Sequence, residues 1–221
     1  MQTTISFPAF LSMFESFNRD IWPLQLFTIV LGMAMAIATA KRSRIADRTS
    51  AAGLGLIWIF VGAVFQWGYF RPIYEPAGLF AALWILQGLL FLTSGAFGAR
   101  LSFTAARDGY AGFGFLLIAY ALVAYPVLGY LLRSELTYAT WFGPFPCPVA
   151  VFTIGMFLLT DAKVPKHLTI IPLFWALGGV VPLSWGVTED IGLVVGGTVG
   201  IVLLFVRDFR RPGHPRVSFP R

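Results

Sequence analysis

The sequence predicts an all-α integral membrane protein, a single bundle of seven transmembrane helices with its N-terminus outside and its C-terminus in the cytoplasm. Three observations lead to this fold class. The first is composition: of the 221 residues, 57% are hydrophobic and 12% are charged, and the mean hydropathy is +0.78. A soluble domain carries about 25% charged residues, so half that fraction cannot cover a surface that faces water.

The second observation is the spacing of the charged residues. Seven stretches contain no Asp, Glu, Lys or Arg, and most have the length of about 20 residues that a helix needs to cross the hydrocarbon core. The short connections between them place consecutive helices side by side. They predict one membrane domain, 1–221, with spans at about 21–40, 51–70, 77–97, 112–132, 146–160, 168–187 and 190–206.

The third observation is the distribution of positive charge. Thirteen of the 16 Lys and Arg residues follow the first, third, fifth or seventh span, and Arg19, Arg71 and Arg133 lie on the opposite side. Because basic residues accumulate on the cytoplasmic side, this asymmetry sets the orientation and makes 207–221 a basic cytoplasmic tail. The net charge of +6 therefore reflects topology and attraction to anionic lipid. The lipid bilayer is the expected partner, and no nucleic acid is.

A short helix precedes the first span. Phe7, Phe10, Phe14 and Phe17 recur at helical spacing, which predicts an amphipathic helix over 7–18 that lies on the outer membrane interface. A frayed tail is the alternative.

The last span carries three glycines four residues apart, Gly192, Gly196 and Gly200. Small residues at this spacing let two helices approach closely. The helix that packs on this face belongs either to the same bundle, to a second copy of the chain or to another membrane protein.

Polar and aromatic residues gather in the outer connections. Trp and Tyr favour the membrane interface in any case, and an amide within a span needs a hydrogen-bond partner. The alternative to these structural roles is a shallow cavity that opens outward and binds a small solute or a cation. Its candidate lining residues are Gln25, Gln66, Tyr74, Glu75, Trp141, Cys147, Trp185, Glu189 and Asp190.

Cys147 is the only cysteine, and it stands between Pro146 and Pro148 after Pro144. Prolines suit an extended segment and the first turn of a helix, so Cys147 is expected at the start of span five. Three roles remain open: a small packed side chain, a soft metal ligand and a reactive thiol. We expect the first, with an alanine substitution better tolerated than a serine.

Several stretches resemble an uncharacterised bacterial multi-pass membrane family, domain-of-unknown-function family 6064. They are FNRDIWPLQ, YEPAGLFAALWILQGLLF, IAYALVAYPVLGY, FGPFPCPVAVFTIGMFLL, IPLFWALGG and GVTEDIGL, from about residue 14 to 197. The resemblance implies a bacterial inner-membrane location and one helical bundle, and it implies no activity. Relatives often have histidine at the position of Gln66, asparagine at that of Glu75 and a threonine pair at 149–150.

Three classes of function follow from these features. The first is transport or binding of a small solute or ion at the outer cavity. The second is an accessory or assembly subunit that packs against another membrane protein. The third is a membrane enzyme or lipid-binding protein, although the sequence holds no catalytic constellation and no CxxC or His/Cys cluster. Neither a cofactor nor a resident metal is expected.

Overall fold

Helices make up most of residues 6–41 and 43–210, the part of the chain that this computed structural model describes. These residues form no β-strand, so the predicted all-α class is confirmed. The helices are α1 (Phe7–Asp20), α2 (Leu24–Ala38), α3 (Arg44–Phe70), α4 (Ala77–Phe97), α5 (Gly109–Arg133), α6 (Pro146–Leu158), α7 (Lys166–Ser184) and α8 (Thr188–Arg210).

Each of the seven predicted spans coincides with a helix, but the helices differ in length. Five of them, α3, α4, α5, α7 and α8, are long and apolar enough to cross a membrane. The bent pair α1 and α2 makes a sixth if it is counted as one span, and α6 is an apolar helix of only 13 residues. Length and composition alone thus support five or six crossings.

The bundle has two ends, named here after the predicted topology. The outer end carries the connections 71–76 and 134–145, and the inner end carries 98–108 and 159–165. The short helices α2 and α6 also connect the two ends. Helix α2 begins near the outer connection, where the Thr28 hydroxyl donates to the Phe142 carbonyl over 2.7 Å. It ends at the inner one, where the Ala105 amide donates to the Thr39 carbonyl over 3.1 Å.

Helix α6 lies in the middle of the bundle, where α3, α5, α7 and α8 pack around it. All of its residues except Cys147 are buried. A helix of 13 residues is about 20 Å long, which is shorter than the hydrocarbon core. Because protein covers α6 on all sides, its length does not have to match the thickness of the lipid.

The inner end of α6 is capped by Arg207, an arginine that the sequence placed at the start of the basic tail. Helix α8 continues to Arg210, and the Arg207 side chain is buried beside α6. Its guanidinium donates to the carbonyls of Phe157, Leu158 and Thr160 over 3.0 to 3.1 Å. The last carbonyls of a helix have no partner within it, so this arginine satisfies them and complements the helix dipole.

The predicted N-terminal helix is present and continues to Asp20, two residues past its predicted end. Phe10, Phe14 and Phe17 are buried against the bundle, whereas Phe7 is exposed. Helix α1 meets α2 at 81°. If α2 stands upright in a membrane, α1 therefore lies close to the membrane plane.

The glycine face of α8 packs inside the bundle. A Cβ atom on Gly192 would overlap the Tyr120 ring, and Cβ atoms on Gly196 and Gly200 would approach Leu117 to 3.0 and 2.9 Å. Both partners belong to α5 of the same chain. These contacts favour internal packing among the alternatives for this face.

The bundle exposes large apolar side chains around its circumference. They include Phe27, Leu56, Leu79, Leu116 and Val202. A soluble monomer rarely exposes so much apolar surface, so this exterior is compatible with a lipid environment.

Candidate functional site

The outer end of α8 places an acidic side chain inside the bundle. Asp190 closes a 3₁₀ turn, Thr188–Asp190, that leads into the helix, and its side chain is 0% exposed. One carboxylate oxygen accepts the phenol hydrogen of Tyr125 over 3.1 Å. The other accepts the thiol hydrogen of Cys147, also over 3.1 Å. Asp190 is thus held by two neutral donors from α5 and α6.

The adjacent carboxylate, that of Glu189, has a charged partner. The two terminal nitrogens of Arg133 donate to the two carboxylate oxygens of Glu189, each over 2.8 Å. Thr140 donates to the same group over 3.2 Å, and both members of the ion pair are buried. This two-pronged pairing is the strongest geometry open to arginine and a carboxylate. The positive charge of Arg133 therefore balances the negative charge of Glu189.

Local sequence explains why Cys147 reaches Asp190. Residues before a proline favour extended backbone, and Phe145 is extended, with φ −100° and ψ 142°. Pro146 then starts α6, as predicted, so Cys147 stands in the first helical turn. Its side chain is partly exposed, the indole of Trp175 on α7 lies beside it, and its thiol faces Asp190.

Gln25, another candidate cavity residue, belongs to a separate hydrogen-bonded group. Its amide nitrogen donates to the backbone and side-chain oxygens of Asn18 over 2.8 and 3.2 Å. The Asn18 amide donates in turn to the carbonyls of Thr137 and Ala139 over 2.7 and 3.0 Å. This group ties the corner between α1 and α2 to the outer connection 134–145. Nearby, the Tyr138 phenol donates to Glu15 over 3.3 Å, and the Glu15 carboxylate raises the pKa of this phenol.

The remaining candidates are distributed over the outer end. Tyr74 and Trp185 are in edge-to-face contact, with ring centroids 6.0 Å apart. Gln66 is buried, and its amide oxygen has no hydrogen-bond partner among the described residues. Glu75 is exposed and Trp141 is half-buried. The structure therefore brings Cys147, Glu189 and Asp190 together and leaves the other six candidates outside that cluster.

Two hollows lie at opposite ends of the described part of the chain. The one at the outer end holds about 200 Å³ and is lined by Ser6, Phe7, Phe10, Ser184 and Trp185. Trp185 is the only candidate cavity residue among them. The second hollow, of about 640 Å³, lies at the inner end. Neither touches Asp190.

The Asp190 cluster is completed by three residues that were not predicted as site residues: Tyr125, Arg133 and Thr140. The sequence predicts Arg133 as an outer cation without a partner, and it predicts no role for Tyr125 or Thr140. Tyr125 and Arg133 are eight residues apart on α5, close to two helical turns, which places both on the side facing the start of α8. That spacing was the available signal.

The chemistry of this cluster is that of a buried acid without a cation. Arg133 is bound to Glu189, and within residues 6–41 and 43–210 no basic side chain forms an ion pair with Asp190. No group of three or more His, Cys, Asp or Glu residues in these ranges has the arrangement of a metal site. An ionised Asp190 would be a buried charge without a basic partner among these residues, an arrangement that costs free energy.

The sequence was also compared with known proteins. No curated protein and no solved structure gives a significant match. The profile of a family of unknown function, DUF6064, matches residues 7–214, which covers all eight helices. This match includes α6 with its proline–cysteine–proline start and the Glu189–Asp190 pair. The chain belongs to the DUF6064 family.

Proposed function

We propose that the protein is a multi-pass protein of the bacterial inner membrane that crosses the bilayer seven times, with its N-terminus outside. The positive charge of the inner connections supports the orientation. Helices α2 and α6 support the number of seven crossings, because each of them connects the two ends of the bundle although it is short. Reporter fusions that placed Arg44 outside or Glu189 inside would overturn this topology.

Within this topology, the bundle binds a small cation, either a proton or a monovalent metal ion, at Asp190, as a step in its transport. The observation that carries this proposal is the burial of Asp190 between two neutral donors, Tyr125 and Cys147. Acidic residues within membrane spans are costly and mark ion or proton pathways more often than structural ties.

The other outer carboxylates are less suited to this role. Glu189 already has Arg133 as its counter-ion. Glu75 is exposed, where water competes with the protein for a bound ion. Asp190 is thus the acidic group whose charge the rest of the cluster leaves unbalanced.

Proteoliposomes provide the test. A membrane potential set with K⁺ and valinomycin drives entry of H⁺ or Na⁺, which trapped pH and Na⁺ indicators report. We expect faster entry of one of these ions than into protein-free vesicles, and its loss in Asp190→Asn. The matched control is Glu75→Gln, which removes an exposed carboxylate at the same end and leaves entry unchanged. Equal rates for the wild type and Asp190→Asn would overturn the proposal.

One observation favours a second function, that of an accessory subunit. Many polar side chains at the outer end bind each other, as the group of Gln25 and Asn18 does, and neither defined hollow leads to Asp190. A bundle whose outer polar groups are paired in this way suits a protein that supports a partner in the membrane. Crosslinking in native membranes that yields one stoichiometric complex, together with proteoliposomes that pass no ion, would favour this function.

A further inference from the structure

The inner end carries a groove that the proposed function does not use. It holds about 640 Å³ and lies between the start of α7 and the end of α8. Its apolar wall is formed by Phe205, Val206 and Phe209, all exposed, and Phe209 is 90% exposed. Three cations, Lys163, Lys166 and Arg210, complete the lining.

These three cations are free to bind a ligand. Among the described residues none of them forms an ion pair, and all three are exposed. The single acidic residue among the described lining residues, Asp208, is already engaged. Its carboxylate accepts both the Arg207 guanidinium, over 2.8 and 2.9 Å, and the Val164 amide, over 3.0 Å. The groove is therefore apolar on one side and positively charged on the other.

We propose that this groove binds an anionic phospholipid, with the phosphate of its headgroup between Lys163, Lys166 and Arg210 and its acyl chains along Phe205 and Phe209. The groove carries the charge that an anionic headgroup requires, and it lies at the inner end of the helices, where headgroups are expected. Basic side chains at the cytoplasmic boundary of membrane helices form binding sites for anionic headgroups. The proposal requires membrane insertion and is independent of ion binding at Asp190.

Charge also argues against two other occupants. Residues 211–221 follow the groove directly and contain Arg211, Arg216 and Arg221, without any acidic residue. This segment would bring positive charge to a positive rim. A second copy of the chain, packed on this groove about a twofold axis, would bring the same three cations to it. An anionic lipid brings negative charge to this positive rim.

Lipid titration of the full-length protein in detergent, followed by native mass spectrometry, tests the site. We expect phosphatidylglycerol to bind about tenfold more tightly than phosphatidylcholine, and this preference to disappear in Lys163→Gln/Lys166→Gln/Arg210→Gln. The matched control is Arg100→Gln/Arg107→Gln, which removes exposed positive charge from the same end and keeps the preference. Asp190→Asn also keeps it, so failure here is separate from failure of the proposed function.

Three outcomes would overturn the proposal. An equal loss of preference in Arg100→Gln/Arg107→Gln would show diffuse attraction to the whole inner face. Displacement of the lipid by inorganic phosphate would show a phosphate site without a role for the apolar wall. The third outcome comes from a photo-crosslinking benzoylphenylalanine in place of Val206: we expect a phospholipid adduct, and an exclusive crosslink to 211–221 would identify the tail as the occupant.

Discussion

The buried ion pair between Arg133 and Glu189 allows a quantitative test of how the Asp190 cluster is held together. In Arg133→Met, Glu189 loses two charged hydrogen bonds of 2.8 Å and keeps the bond of 3.2 Å from Thr140. A hydrogen bond to a charged group contributes about 1.5–3 kcal/mol. The two lost bonds therefore account for about 3–6 kcal/mol, in agreement with the cost of about 3–5 kcal/mol for breaking a buried pair.

The double variant Arg133→Met/Glu189→Gln removes both charges of this pair, and its glutamine still accepts from Thr140. We expect it to be within about 1 kcal/mol of the wild type, since replacing both members of a buried pair is often nearly neutral. The two single variants and the double variant form a cycle with a coupling energy of at least about 3 kcal/mol, because each single variant leaves one buried charge unpaired. Unfolding by SDS in mixed micelles, followed by tryptophan fluorescence, measures all four free energies.

The surface pair of Arg19 and Glu15 is the control. A guanidinium nitrogen of Arg19 lies 2.7 Å from a carboxylate oxygen of Glu15, but the Arg19 side chain is 67% exposed and the Glu15 side chain 30%. An exposed pair of this kind contributes less than about 1 kcal/mol, so Arg19→Met should hardly change stability. If Arg133→Met costs no more than Arg19→Met, or if the two single effects in the cycle simply add, the argument for a buried electrostatic tie is wrong.

Three further predictions use the same unfolding assay. Arg207→Met removes the buried cap of α6 and should cost about 3 kcal/mol or more, whereas the exposed Arg210→Met should be nearly neutral; equal effects would contradict the capping role. Gly192→Ala forces a methyl group into an aromatic ring of α5 and should cost about 1–3 kcal/mol, whereas Gly112→Ala has open space and should not destabilise; a neutral Gly192→Ala would contradict the close packing of α8. Cys147→Ala should cost about 1–3 kcal/mol, and Cys147→Ser less, because serine keeps a donor for the buried carboxylate; the reverse order would contradict that hydrogen bond.

Much of the fold follows from local patterns that the sequence displays. The charge-free stretches located all seven helices after α1, and the phenylalanine spacing located α1 itself, because both signals depend on neighbouring residues. The ends of the helices were predicted less accurately. Helix α3 begins at Arg44 instead of residue 51, and α8 continues to Arg210 instead of ending at residue 206. Polar residues at these ends are bound by the bundle, as Arg207 is, so they extend the helices past the apolar stretches.

The contacts of the Asp190 cluster depend on how segments that are far apart in the sequence pack together. Arg133 and Glu189 are 56 residues apart, and Cys147 and Asp190 are 43 apart. Composition placed these side chains at one end of the bundle, but only packing determines that Arg133 selects Glu189 and leaves Asp190 to neutral donors. The length of α6 shows the same limit, because a hydropathy pattern does not distinguish a helix surrounded by protein from one surrounded by lipid.

Cys147 shows how one such contact changes the interpretation of a residue. Its place between two prolines favoured a small packed side chain, and on that basis alanine should have been the better replacement. In the structure the thiol donates to Asp190, a carboxylate that among the described residues receives one other side-chain hydrogen bond, from Tyr125. Loss of a donor to a buried carboxylate costs more than the small mismatch of a serine, so the expected order of the two substitutions is reversed. The prolines fix where the thiol stands, and Asp190 determines what it does there.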